Sequence, residues 1–309
     1  MKTVYLNNFM SSVVTELEMN GQYGTAHVCG SVLRSVMAFG GEGLPVSGIT
    51  PLWLKAYEGY LLHKGGKGLA WNTVSTYMRM LQAVYNRAVA RKLAAFIPHQ
   101  FRDVFTGRKA DHRRVLERDD MQKLLVEREP DITSPGMAWA RACLELMFRF
   151  HGMPFVDLAH LRKSDLKDGY LTLRRRKTGM PLSARVDGRA MQLLERYRNR
   201  DDTSPYLLCF LDGNLEGMAA YRDYQRILRL LNSRLRALAL WKKVQGKVTS
   251  YSARHTWATV GRYCHIPIEV ISEGLGHASV TTTEGYMKGF GNSRMDRANK
   301  VIMNYIFKG

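Results

Sequence analysis

Long hydrophobic runs are missing from this 309-residue sequence. None reaches the ~18 apolar residues that a membrane-spanning helix needs. The first residues, MKTVYLNNFMSSVV, set Asn7 and Asn8 where a secretory leader would be apolar. Cysteine is scarce: Cys29, Cys143, Cys209 and Cys264 stand far apart with no C-x-x-C. That argues against a disulfide framework and a zinc site, and suits a reducing compartment. Acidic residues are few as well, 27 Asp and Glu against 46 Lys and Arg, for a formal net charge of +19. So large an imbalance costs self-repulsion in the compact state and points to a polyanionic partner, although a surplus for solubility is the plainer alternative. No internal repeat and no low-complexity tract is present.

Hydrophobic residues make up 45% of the chain, ample for packed cores, and its length suits one large domain or two ordinary ones. The positive charge is not a tail. Residues 1–113 hold 13 Lys/Arg and 6 Asp/Glu, so both parts of the chain are basic, at +7 and +12. A partner lying across both parts fits this better than one touching a single end.

Residues 5–95 read as four helical stretches. The clearest starts near Asn72, a cap candidate, and carries Val74, Tyr77, Leu81, Val84, Tyr85 and Ala88 at helical spacing. Thr50-Pro51 is a helix start, and Gly65-Gly66-Lys67-Gly68 a stop and loop. This region, 1–105, is expected to be a small helical bundle. The basic stretch 106–114, with Arg108, Lys109, Arg113 and Arg114, reads as a linker that either follows a phosphate backbone or is simply solvated.

From Val115 a second domain is expected, 115–309, with helices near 117–128, 136–151, 188–200, 218–243, 252–264, 267–275 and 280–288. Between them, Tyr170–Leu173 and Leu182–Val186 flank a Thr178-Gly179 turn, forming a β-hairpin with Arg174, Arg175, Arg176 and Lys177 at its tip. The fold class is mainly α with a small antiparallel β-sheet.

The stretch 251–290 is the most informative. Arg254-His255-Thr256, Ala258-Thr259, Leu275-Gly276-His277 and, nine residues later, Tyr286 form an ordered set. It resembles the signature of the tyrosine recombinase, or phage integrase, family: H-x-x-R-H-T-x-A-T, then L-G-H, then a tyrosine. The similarity reaches back to Lys177–Gly179 and to GMPFVDLAHLRKSDL at 152–166, and so covers nearly the whole chain. The resemblance implies a helical core-binding domain and a mixed catalytic domain that clamp duplex DNA from opposite faces. It also implies a synaptic homotetramer that exchanges strands through a Holliday junction, and it leaves room for an accessory DNA-bending protein. Arg175, with the basic residues of 106–114, is expected to contact DNA. The expected location is the cytoplasm, at the nucleoid, and no membrane, metal or cofactor is expected. With no room before residue 5 for an arm-binding domain, the chain is expected to resemble short recombinases.

The chemistry needs these residue types. A phosphodiester repels nucleophiles, so catalysis is mainly positioning and charge stabilisation. Arg254 can offer a planar fork to two non-bridging oxygens. His277 can donate a hydrogen bond to the same phosphate. Lys177 can protonate the departing 5′-oxygen as a general acid. Tyr286 can attack phosphorus and store the bond energy as a phosphotyrosine, so that rejoining needs no ATP.

Two departures stand out. Where the family has the arginine of G-[LM]-R, this chain has Pro154, which offers neither charge nor donor but suits the first turn of a helix. The chain resembles a branch of the family, found mostly on mobile elements of anaerobic gut bacteria, that also lacks this arginine. His151, Arg149, Arg174 and Arg176 are the candidate substitutes. The second departure is Tyr251, in place of the usual histidine, which either bonds Lys177 or a phosphate oxygen or merely packs. Past Tyr286, Met295, Ala298, Val301, Ile302 and Tyr305 predict a helix over 294–308, folded onto its own domain or donated to a neighbouring protomer. Two rival functions remain open: relaxation of DNA by a type IB topoisomerase-like enzyme, and DNA binding without cleavage.

Overall fold

The computed structural model of the chain describes residues 3–109, 115–126, 134–277, 279–284 and 299. Arg113, Arg114, Tyr286 and the expected C-terminal helix, apart from Asn299, lie outside the described residues. The chain divides into two compact units, Met1–Ala110 with Leu215–Tyr221, and Asp111–Asn214 with Arg222–Gly309.

The first unit is built on α1 (Leu6–Met19), α2 (Tyr23–Gly40), α3 (Pro51–His63) and α4 (Trp71–Ala90). Each helix turns an apolar stripe inward. In α1 the stripe is Leu6, Phe9, Met10, Val13 and Leu17; in α4 it is Val74, Met78, Leu81, Val84, Tyr85 and Ala88. Each Leu, Val, Phe or Met among them stabilises the unit by roughly 1.5–3 kcal/mol when fully buried. Thr50 caps α3, accepting a 3.2 Å hydrogen bond from the Trp53 amide, and Pro51 fills the first helical position. For α4 the cap is Ala70, not Asn72. The Asn72 amide group does a different job: its Nδ2 donates to the Lys109 carbonyl and its Oδ1 accepts from the Lys109 amide, both at 2.8 Å. Ser75 Oγ donates to the Gly107 carbonyl at 2.6 Å. Residues 106–109, expected in the linker, are therefore fastened to α4 and belong to the first unit. Lys109 Nζ lies 4.4 Å over the Trp71 ring, a cation–π contact, and Arg108 is exposed.

The second unit contains α5 (Arg118–Leu125), α6 (Pro135–Arg149), α7 (Phe155–Ala159), α8 (Gly188–Arg196), most of α9 (Gly217–Trp241), α10 (Ser252–Tyr263), α11 (Ile268–Leu275) and α12 (Val280–Glu284). Its sheet runs β1-β2-β3, antiparallel throughout, with β1 at Leu166–Lys167, β2 at Tyr170–Arg174 and β3 at Pro181–Arg185. Leu171 pairs with Ala184, both buried, and Arg174 pairs with Pro181 at the hairpin end. The core gathers Ala140, Cys143, Leu144 and Met147 of α6 with Leu231, Leu235 and Leu238 of α9. Pro154 is the N-cap of α7 rather than a residue of its first turn, and this helix is one turn and a half long. No described helix is long and apolar enough to cross a membrane.

Candidate active site

After α6 the chain reverses through His151 and Gly152, both in the left-handed region, at φ 55° and 66°. Gly152 must be small here. A Cβ on it would sit 2.9 Å from the Arg254 Cα, so the glycine lets α10 pass close by. Thr256, one turn along the buried face of α10, accepts a hydrogen bond at 3.0 Å from the amide of Leu116, which ties the start of the second unit to this helix.

Arg254 is 3% exposed. Its Nη1 donates to the Gly152 carbonyl at 3.1 Å and its Nη2 to the Leu275 carbonyl at 2.7 Å. Leu275 is the last residue of α11, where carbonyls lack helical partners and the helix dipole is negative, so a guanidinium is the natural partner there. Gly276 then turns the chain at φ 62°, and His277 is delivered next to Arg254, Nη2 to Nε2, at 2.7 Å. On its far side the His277 Nδ1 meets Thr283 Oγ1 of α12 at 2.8 Å. Burial first, then the charges of Arg254 and Arg175, push His277 down from 6.5 to about 4.

Arg175, expected to reach DNA from the hairpin tip, is instead buried at 6% exposure. The strand period explains it: Leu171, Leu173 and Arg175 share the inward face, while Arg174 and Arg176 are exposed. Its Nε forms a 2.7 Å ion pair with Asp157, and its Nη1 donates to the same Leu275 carbonyl that Arg254 holds. Asp157, 2% exposed, also accepts from the Arg176 amide at 2.9 Å. Neither Asp157 nor Thr283 was singled out in the sequence.

The four expected substitutes for the missing arginine each have contacts of their own. Arg149 binds Glu145 at 2.9 Å and Asp187 at 2.6 Å. Arg174 donates to the Gly179 carbonyl at 3.2 Å. The Arg176 charge acts on His160, which burial first and then that charge bring to about 4. His151 packs on Trp257, ring centroids 5.6 Å apart, and burial lowers its pKa. Lys177 is exposed in the hairpin turn. Tyr251 is 42% exposed at the N-cap of α10, its ring 6.4 Å from that of His255. Among the described residues no group of three or more His, Cys, Asp or Glu side chains converges as a metal ion requires.

Comparison with known proteins fits this arrangement. Residues 5–102 match the phage integrase SAM-like domain, and residues 114–290, more than half the chain, match the phage integrase family. The tyrosine recombinase XerA of Pyrococcus furiosus is 29% identical over 140 residues, 44% of this chain and 46% of that protein. The matched part thus spans about half the length of that relative. A putative integrase/recombinase of Sinorhizobium fredii is 27% identical over 180 residues, 56% of this chain and 88% of that one. In fold, the chain is similar to a lambda integrase dimer bound to a core site, with a TM-score of 0.60 at 16% identity over 92% of this chain and 77% of that one. It is similar also to the Tn1549 transposon integrase in complex with transposon right end DNA, with a TM-score of 0.64 at 16% identity over 99% and 100% of the two chains. With both of its domains matched in order, the chain belongs to the phage integrase family, the tyrosine recombinases.

Proposed function

We propose that this protein carries out site-specific recombination of duplex DNA, by integration, excision or inversion. The observation that carries the reading is the part-buried contact between Arg254 and His277, two side chains from separate family motifs brought together at the end of α11. In the reaction the Tyr286 oxygen attacks the scissile phosphorus, a 3′-phosphotyrosine bond forms, and the bond from phosphorus to the 5′-oxygen breaks. Arg254 and His277 hold the non-bridging oxygens as charge builds on them. Lys177 gives the 5′-oxygen its proton. Rejoining reverses these steps and conserves the bond energy, so ATP is not needed, and Arg254 and His277 supply the charge stabilisation that a metal ion gives in other phosphoryl-transfer sites.

The partner is double-stranded DNA, in keeping with a net charge of +19 spread over both parts of the chain. A tetramer on paired sites follows as the working assembly, since strand exchange needs four cleavages; a lambda integrase tetramer bound to a Holliday junction is a relative in fold. Arg108, Lys109, Arg113 and Arg114 are proposed to contact the DNA backbone. The test is a duplex site nicked so that cleavage releases a short strand and traps the adduct. The protein should become covalently attached, and Tyr286→Phe, which keeps the ring and removes one oxygen, should bind without attachment. A Phe variant that still forms the adduct assigns the nucleophile elsewhere, and a native protein that binds but never attaches is a DNA-binding protein only.

A further inference from the structure

The phosphate-binding pair and the nucleophile are carried by different segments, and a buried side chain joins them. The helix α12 has five residues, too few to hold its shape without tertiary contacts. Of its three threonines, Thr281 and Thr282 are exposed, whereas Thr283 is fully buried. A hydroxyl taken out of water needs a hydrogen-bond partner. Thr283 has one in His277, whose Nδ1 lies 2.8 Å from its Oγ1. Tyr286 follows three residues later in the sequence.

The direction of that bond follows from the other side of the ring. Arg254 Nη2, 2.7 Å from His277 Nε2, can only donate, so Nε2 accepts and the ring proton sits on Nδ1. Thr283 Oγ1 is therefore the acceptor. A phosphate oxygen placed against Arg254 and His277 favours the imidazolium, in which Nε2 donates to that oxygen and Nδ1 still donates to Thr283. The bond to Thr283 then becomes charge-assisted, which shortens it and makes it about twice as strong. Loading the phosphate site thus tightens the hold on α12. Such coupling is reciprocal, and a docked α12 favours the charged ring.

We propose that Thr283 is a positioning residue for cleavage: by accepting the Nδ1 proton of His277 it ties the segment leading to Tyr286 to the phosphate site, so that a bound scissile phosphate itself sets the nucleophile in place. The proposal rests on the recombinase reading above. In this role Thr283 acts through His277 and needs no contact of its own with the phosphate.

The experiment compares the full-length native protein with Thr283→Val, which keeps the branched shape and removes the hydroxyl, and with Thr283→Ser, which keeps the hydroxyl. Two nicked half-site substrates are used: an ordinary scissile phosphodiester, and a methylphosphonate in which a methyl group replaces one non-bridging oxygen and removes the charge. On the phosphodiester, Thr283→Val should attach about 10- to 100-fold more slowly, the loss typical when a partner that orients a functional histidine is removed. Half-site affinity, carried by many phosphate contacts, should stay within about threefold, and Thr283→Ser should recover most of the native rate. On the methylphosphonate the Val deficit should shrink to about threefold or less, because a neutral group does not favour the charged ring. In protein with isotope-labelled histidine, the His277 Nδ1 proton should resonate downfield, as a hydrogen-bonded proton does, and move upfield in Thr283→Val but not in Thr283→Ser. Equal Val deficits on the two substrates, or a Ser variant as slow as the Val variant, make Thr283 a packing residue and overturn the proposal. So does an Nδ1 proton that Thr283→Val leaves unmoved. Should the Val variant fail to unfold cooperatively, Thr283→Ala carries the same comparisons. A native protein that attaches to neither substrate overturns the recombinase reading itself, and this inference with it.

Discussion

His277 accepts a hydrogen bond from Arg254, whose Nη2 lies 2.7 Å from its Nε2. A guanidinium can only donate, so Nε2 carries the lone pair and the ring proton sits on Nδ1. That proton points to Thr283 Oγ1 at 2.8 Å. The contact therefore fixes one neutral tautomer, and burial with two nearby arginines keeps it neutral down to about pH 4. A phosphate placed against Arg254 would reverse this balance, since its negative charge favours the imidazolium and withdraws the arginine from Nε2.

The first prediction concerns that reversal. In the free protein the His277 imidazole, followed by NMR, should titrate near 4. In Tyr286→Phe bound to half-site DNA its midpoint should rise by at least about one unit, the scale of a neighbouring opposite charge. A midpoint unmoved by DNA would separate His277 from the phosphate. Stability carries the same signature. An unfolded histidine takes up its proton as pH falls through about 6.5, whereas folded His277 and His160 do so only near 4. The stability these neutral rings contribute is fully present above 6.5 and is lost as pH falls toward 4. The Tm should fall across that window, and His160→Asn, which removes one of the groups, should flatten the slope.

The second prediction is that Arg254→Lys is not conservative. Arg254 spreads its donors over the Gly152 carbonyl, the Leu275 carbonyl and His277. One ammonium on a flexible stem cannot reproduce that fork. Cleavage under single turnover should fall by about 100- to 1000-fold, the loss seen when one transition-state donor is removed. Half-site affinity, carried by many phosphate contacts, should change by less than about threefold. A cleavage loss matched by an equal loss of affinity would make Arg254 a binding residue.

How much of this was legible in the sequence depends on the range of the interaction. The helices were, because stripes such as Leu6, Phe9, Met10, Val13 and Leu17 repeat within one element. The two-residue β1 was not, since it is too short to show a period. The order of Arg254, His277 and Tyr286 named the family, but not what Arg254 touches: the Gly152 carbonyl lies 102 residues away in sequence. Thr283 is one of three consecutive threonines, and only the phase of α12 selects it. Arg175 was hidden differently. The run Arg174-Arg175-Arg176 reads as one basic tip, yet the alternation of Leu171 and Leu173 already set Arg175 on the inward face. Asp157, in a helix of five residues, had no stripe to mark it as buried.

The third prediction concerns the leaving group. Lys177 is exposed in the turn between β2 and β3, so replacing it should cost the fold little, within about 0.5 kcal/mol by thermal unfolding. Its effect on cleavage should be much larger. A general acid contributes about 100- to 10,000-fold when the departing oxygen is a strong base, and Lys177→Ala should lose a factor in that range. A substrate with sulfur in place of the 5′-oxygen leaves as a thiolate, a far weaker base, and needs no proton. On that substrate Lys177→Ala should recover to within about tenfold of the native protein. Arg254→Lys should not recover, because its defect lies at the non-bridging oxygens and is indifferent to the leaving group. If sulfur restores both variants or neither, Lys177 is not the proton donor.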